Sequence, residues 1–298
     1  MKNLKQFKAK LLLFLISGIL FLSLGFIFVS CGQGPTLKTE DTNKGAYAID
    51  FSPGPGAGAF ISVSGNNFPS ITNQPFTVEA WVKGSSSIDT PIFSHSDQSN
   101  GILVYLQSNV VKAVLGYGSS TGTAVTSGTS LTTSWQHVAV VLAPAHTAAD
   151  HGTNANCTSG SRGTNPHIDT YIDGIFTACG ATGTTTGYAE DPSGDDRYAV
   201  KIGSTDMTVL TFAKPNFAID DIRFWLTART ASEISQCMND MLRFTPPCNI
   251  GNSTLKGYWP LNTGSGSSVK DFSGNGIDGS IYSPAEVLWE GGWVTGKL

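Results

Sequence analysis

The stretch Phe217–Ile234, FAIDDIRFWLTARTASEI, constrains the fold more than any other part of the chain. Read with a period of two, Ala218, Asp220, Ile222, Phe224 and Leu226 share one face, and Ile219, Asp221, Arg223 and Trp225 share the other. That is a strand with an apolar side and a mixed side, so Asp221 and Arg223 are expected toward water. Asp220 conflicts with its own face, because a carboxylate turned toward a core is costly unless something pairs with it. After the strand, Thr230 is followed three residues later by Glu233, a capping box that holds the free amides of a first helical turn. A helix is therefore expected from Ala231 to about Leu242, stopped before Pro246 and Pro247.

The rest of the chain from Ala46 onward repeats the strand signal without the helix. AYAIDF (Ala46–Phe51), AFISV (Ala59–Val63), FTVEAWVK (Phe76–Lys83), PIFSH (Pro91–His95), GILVYLQ (Gly101–Gln107), VVKAVLGY (Val110–Tyr117) and WQHVAVVL (Trp135–Leu142) are short β runs separated by Gly-, Ser- and Thr-rich segments. WQHVAVVL is apolar on both faces, as a central strand is. Ala143–Pro166 lacks a period and reads as a long surface insertion. IDTYIDGIFTAC (Ile168–Cys179) reads as a hairpin turning at Asp173-Gly174. YAVKIGS (Tyr198–Ser204), LKGYWPL (Leu255–Leu261) and VLWEGGWV (Val287–Val294) complete the β pattern.

The N-terminus is an address. Lys2, Lys5, Lys8 and Lys10 precede an apolar run, Leu11–Val29, which is followed by Ser30-Cys31-Gly32. This resembles a bacterial lipoprotein signal over residues 1–30, with Cys31 as the lipidated residue and 31–45 as a flexible tether. Phe28 stands where the usual pattern has Leu, and the apolar run is also long enough to remain as an uncleaved span. Gly32, in place of an Asp after the cysteine, points to the outer membrane or cell surface. The chain has 18 basic and 22 acidic residues; without the four leader lysines, 14 basic remain against 22 acidic, a net of −8. That sign argues against nucleic acid as a partner. Four further cysteines, Cys157, Cys179, Cys237 and Cys248, are an even number in an exported chain and allow three disulfide connectivities. Cys157–Cys179 and Cys237–Cys248 each close a local loop and are the expected pairs. No CxxC and no zinc spacing occurs.

In this order, AIDF (Ala48–Phe51), FTVEAWVK, WQHVAVVL, YIDG (Tyr171–Gly174), VKIGS (Val200–Ser204), IDDIRFW leading to TASEI (Ile219–Ile234), and GYWPLNTGSGSSVKDFSGNGIDGSI (Gly257–Ile281) resemble the laminin-G-like, concanavalin A-like jelly-roll family. The resemblance implies an all-β domain over residues 46–298: a two-sheet antiparallel jelly-roll sandwich with one short helix near the C-terminus. It also implies a structural calcium held by the aspartate of the IDDIRFW strand. By position that is Asp220, with Asp50 of the first strand and nearby backbone carbonyls as the further donors. The alternative is that Asp220 accepts backbone N–H groups or pairs with an arginine.

Function is less constrained. A glycosidase needs two carboxyl groups flanking the bond. The paired-glutamate strand of jelly-roll glucanases is absent, Glu233 serves as a cap and Glu79 stands alone on its strand. No nucleophile elbow or HExxH occurs. Asp271-x-Ser273-x-Asn275-Gly276 imitates the front of a calcium loop, but Tyr282 stands where the closing glutamate belongs, so it reads as a turn. Asp191, Asp195 and Asp196 read as a solvated acidic loop, and His146 and His151 as exposed; His137 reads as a core histidine. Trp81, Tyr105, Tyr117, Tyr188, Tyr198 and Trp225 are possible sugar platforms, with packing as the default for each. The expectation is non-catalytic binding of a glycan or an extracellular or envelope protein by a lipid-anchored surface protein. The alternatives are a structural envelope module or a divergent glycosidase.

Overall fold

The structure is a computed structural model. It describes residues 47–298 except 53–57, 65–67, 72–73, 85–88, 98–99, 118–119, 144–166, 182–198, 208–211, 243–247, 250, 252, 284, 286–287 and 289–290. The leader, Cys31, the tether, Cys157, His146, His151, Asp191, Asp195, Asp196, Tyr188 and Tyr198 lie outside the described residues.

Two antiparallel sheets pack as a jelly-roll sandwich, with one short helix among the described residues. Sheet A has the order β10 (Ile175–Ala181), β9 (His167–Ile172), β8 (Trp135–Ala143), β3 (Phe76–Lys83), β12 (Ala218–Trp225), β1 (Tyr47–Asp50), β16 (Trp293–Thr295), and β13 (Leu255–Trp259) also pairs with β12. Sheet B has the order β14 (Ser268–Val269), β15 (Gly279–Tyr282), β2 (Phe60–Val63), β11 (Val200–Ile202), β4 (Thr90–Ser96), β5 (Gly101–Gln107), β6 (Val110–Tyr117), β7 (Ser120–Ser130). Alternation decides the core. Phe76, Val78, Ala80 and Val82 of β3 and Val138, Val140 and Leu142 of β8 face Ile61, Val63, Ile92, Ile102, Val104 and Ile281 of sheet B. Nearly every inward residue is fully buried, which is the main source of stability for such a sandwich.

The expected strands form close to their expected limits, and the Asp173-Gly174 turn has both residues at positive φ, 53° and 74°. Three strands were not read from the sequence: the short β14 and β15, and β7, STGTAVTSGTS, which is polar and Gly-containing and forms because β6 offers it a free edge. Among the described residues of VLWEGGWV, Trp293 and Val294 enter the strand Trp293–Thr295 and Leu288 bridges to Tyr282. The helix, α1, is Ala231–Cys237 and not Ala231–Leu242. Its capping box is present as read. It ends early because the Arg223 guanidinium donates to the Cys237 carbonyl at 2.9 Å and the Asp240 carbonyl at 2.6 Å, taking acceptors a longer helix would use.

The opening strand departs from simple alternation. Asp220 pairs with Trp81 and Arg223 with Glu79, so Asp221 and Ile222 together stand opposite the single residue Ala80. This is a β-bulge, and Asp221 carries it at φ 50°, a conformation aspartate tolerates better than most residues. The bulge lies where β12 exchanges one edge partner, β1 at Ala218–Ile219, for another, β13 at Ile222–Trp225. Its effect is to keep Ile219, Ile222 and Phe224 all in the inter-sheet core. Asp220 thereby joins the outer face of sheet A instead of the face of Ile222 and Phe224. Asp221 is also buried, not wetted, and forms an ion pair with the fully buried Arg223.

Candidate binding site

The outer face of sheet A carries the alternate residues: Thr77, Glu79, Trp81 and Lys83 on β3, Trp135 and His137 on β8, Ala48 and Asp50 on β1, and Ala218, Asp220, Arg223 and Trp225 on β12. One half of this face is closed. The helix α1 and the turn after it lie over it, held by the Trp81 indole N–H donating to the Met238 carbonyl at 2.7 Å. Arg223 binds the same turn, and Tyr258, whose hydroxyl accepts from the Leu242 amide at 3.2 Å, lies beside Asp221. The disulfide Cys237–Cys248, with Cα atoms 5.4 Å apart, packs with Trp225, Leu242, Leu255 and Tyr258. Cys179 is also disulfide-bonded.

Under this cover the charges are paired. Glu79 forms an ion pair with Arg229 and lies 3.4 Å from His137 Nε2. Arg229 also donates to the Glu233 carbonyl at 2.7 Å and stacks 4.4 Å over the Trp225 ring. Burial alone would raise the Glu79 carboxyl; the Arg229 charge, with His137, overrides it and holds the group down at about 2. A carboxylate with these partners is a structural part of the fold, and Glu79 is not alone on its strand as the sequence suggests.

The other half is open. Strand register brings Asp50 opposite Ala218, Ala218 opposite Lys83 and Lys83 opposite Trp135, a single row across four strands. Three inter-strand steps span roughly 14 Å. The row forms a cleft of about 430 Å³ lined by Asp50, Ser52, Lys83, Trp135, Val294 and Thr295, with Ala218 beneath. Ala218 is the small residue that makes the depression. Trp135 is half-buried and Lys83 is exposed, its ammonium 6.0 Å from the Trp135 ring centre. Asp50 Oδ1 accepts from the Ser52 amide at 2.7 Å, which orients the carboxylate at the opposite wall. An aromatic face flanked by a hydrogen-bond acceptor and a donor is a chemistry that holds polyhydroxylated rings.

Asp220 stands between the halves. It is fully buried, and its Oδ2 accepts from the backbone amides of Lys297 at 2.7 Å and Leu298 at 3.1 Å. Burial first, and the Asp221 carboxylate second, push Asp220 up to about 7 against the pull of those amides. Calcium needs six to eight oxygen ligands. Here N–H donors engage Asp220 Oδ2 and Asp50 Oδ1, while Asp220 Oδ1 is buried without a hydrogen-bond partner. Asp50 pairs with Ala218 and not with Asp220, and among the described residues no group of three or more His, Cys, Asp or Glu is placed to hold a metal. Among the described residues, side-chain donors alone do not assemble a calcium site here.

The other sequence candidates resolve as follows. Asp271 accepts from the amides of Tyr258, Ser273 and Ile277 and from the Ser273 hydroxyl, so its carboxylate shapes a turn. Trp81, Tyr105 and Trp225 are buried in packing. Trp135, the aromatic of the cleft, is not among the platforms read from the sequence. Its signal was present: Trp135 opens its strand after the polar Thr132-Thr133-Ser134, where a large aromatic is exposed by position.

A family model, the concanavalin A-like lectin/glucanases superfamily, matches residues 55–235. No curated protein matches the chain by sequence. Among solved structures, a protein from Bacteroides ovatus ATCC 8483 whose name assigns it provisionally to carbohydrate binding aligns with TM-score 0.52 and 19% identity over 80% of this chain. The chain spans 58% of that protein's length. A heptameric SAP-like pentraxin from Limulus polyphemus aligns at TM-score 0.42 and 15% identity, covering 65% of this chain and 81% of its own. The receptor binding domain of botulinum neurotoxin D aligns at 0.41 and 14%, covering 64% and 43%. These likenesses are of fold. By the extent of the family match, together with the two-sheet sandwich that carries it, the chain belongs to the concanavalin A-like lectin/glucanase superfamily.

Proposed function

We propose that this protein is a non-catalytic carbohydrate-binding protein, exported and anchored through lipid on Cys31, which takes its glycan in the cleft between Asp50 and Trp135. The observation that carries the reading is the transverse row Asp50–Ala218–Lys83–Trp135, which places a carboxylate, a small floor, an ammonium and an aromatic face side by side. A glycan of more than one ring spans the row, with one ring laid by its apolar face on Trp135 and accepting from Lys83, and a further ring donating a hydroxyl to Asp50. Among the described residues Asp50 is the one carboxylate lining the cleft, whereas a glycosidase uses two, and this favours binding over catalysis. The carbohydrate-binding assignment of the Bacteroides ovatus protein supports the same class of ligand.

The test is a glycan array probed with the full-length protein in detergent and with Trp135→Ala. Binding by the wild type that falls about fivefold in the variant, at an unchanged melting temperature, is expected, because one stacking contact is worth about 1 kcal/mol. Undiminished binding by the variant would place the ligand elsewhere, and release of reducing sugar would make the protein an enzyme. Palmitate labelling of cells, lost in Cys31→Ser, tests the anchor.

A further inference from the structure

We infer that Asp220 is a positioning residue of the cleft, acting through the segment Trp293–Leu298. The inference rests on the reading of the cleft as a binding site. Val294 and Thr295 line one side of the cleft. They belong to a three-residue edge strand paired only with β1, through Tyr47–Thr295, Ala48–Val294 and Ile49–Trp293. A ladder that short holds a chain weakly by itself.

The two ends of the segment are held by different means. At the near end, the Asp50 amide donates to the Gly292 carbonyl at 2.7 Å and the Trp293 indole donates to the Gly266 carbonyl at 2.9 Å. Neither bond involves Asp220. At the far end, the Lys297 and Leu298 amides both converge on Asp220 Oδ2. The Lys297 ammonium lies 4.3 Å from the Trp81 ring centre, and Trp81 is fixed in turn by the Met238 carbonyl. Gly296 lets the chain pass this closely: a Cβ there would meet the Tyr47 carbonyl and lie 2.8 Å from Asp220 Oδ2.

The bulge makes this possible. In simple alternation Asp220 would point into the inter-sheet core and could reach none of these amides. With the bulge it lies on the outer face, in the same strand as Ala218 and two residues from it. One strand therefore supplies the floor of the cleft and the acceptor that seats its wall. Asp50, Lys83 and Trp135 stay in place on their own ladders when Asp220 is changed; Val294 and Thr295 do not.

Amide hydrogen exchange on full-length protein, comparing Asp220→Asn and Asp220→Ala with the wild type, tests the inference. The asparagine keeps an acceptor oxygen and the alanine does not. Exchange at Lys297 and Leu298 is expected to speed up on the order of tenfold in Asp220→Ala, to stay near the wild-type rate in Asp220→Asn, and to be unchanged in β3 and β8. Glycan affinity follows the same order. If Asp220→Ala folds poorly, Gly296→Ala gives the same acceleration by displacing the segment with the carboxylate intact. Unchanged exchange in Asp220→Ala, or equal losses in the asparagine and alanine variants, overturns the inference. Absence of glycan binding in every protein, with the exchange pattern as expected, overturns the reading of the cleft and leaves the role of Asp220 as the seat of the segment standing.

Discussion

Glu79 and Asp50 are both carboxylates on the outer face of sheet A, two strands apart, and each shares its region with a lysine or arginine and a tryptophan. Glu79 is covered by α1 and its disulfide-bonded turn, and it is fully buried against Arg229. Asp50 is uncovered and lines a cleft beside Lys83 and Trp135. The chemistry of the two regions is similar, and the cover separates their roles. A buried carboxylate must be matched by charge and hydrogen bonds for the fold to persist. An uncovered one is hydrated, and a ligand's hydroxyls can replace that water at small cost. Paired acids and aromatics on this sheet thus mark structure where α1 lies, and where it does not they stay open, as the proposed binding surface requires.

The largest expected effect breaks the closed region. Glu79→Gln leaves Arg229 buried without its counter-charge and should cost about 3–5 kcal/mol in denaturant unfolding. A loss below about 1 kcal/mol would mean the pair is hydrated in solution, and the contrast with Asp50 would disappear. Next in size, Cys237→Ser with Cys248→Ser opens a loop of 11 residues' separation and should cost about 2–3 kcal/mol while leaving the cleft intact. Loss of glycan binding in that variant at temperatures where it stays folded would show that the two regions are coupled.

The pH dependence sharpens the boundary between them. Glu79 is held at about 2, below its ordinary 4.5, so its contribution is complete above pH 4.5 and is lost as pH falls through about 2. Asp220 is raised from 3.8 to about 7. The folded state therefore holds a proton there that the unfolded state has released, and stability declines as pH rises from about 4 to 7 and levels off above that. Measured against Asp220→Asn, the wild type should lose ground between pH 4 and pH 8; a difference independent of pH would mean that Asp220 is hydrated when folded. The smallest effect concerns metal. The melting temperature should be the same in calcium and in chelator, and a rise with calcium that Asp220→Asn abolishes would restore a cation at this strand.

Much of this was legible in the sequence. FTVEAWVK and GILVYLQ run as strands over the residues their alternation indicates. Thr230 and Glu233 cap the helix as their spacing requires, and Cys237 pairs with Cys248. These are local signals: a period, a cap, a short loop. Asp220 was also legible as a residue needing partners. Its face was not, because a bulge depends on what the neighbouring strands do, and β12 changes edge partner at that point. Arg229 could not be matched to Glu79 from a sequence separation of 150.

Chain pattern alone determined the class of fold, the helix cap and one disulfide, since each follows from residues close together along the chain. The tertiary structure decided which outer-face charges are buried, that Asp220 reaches the amides of Lys297 and Leu298, and that Asp50, Lys83, Trp135 and Ala218 form one row. Those four residues come from four strands spread over most of the domain, and only the register of the ladders between them brings them together.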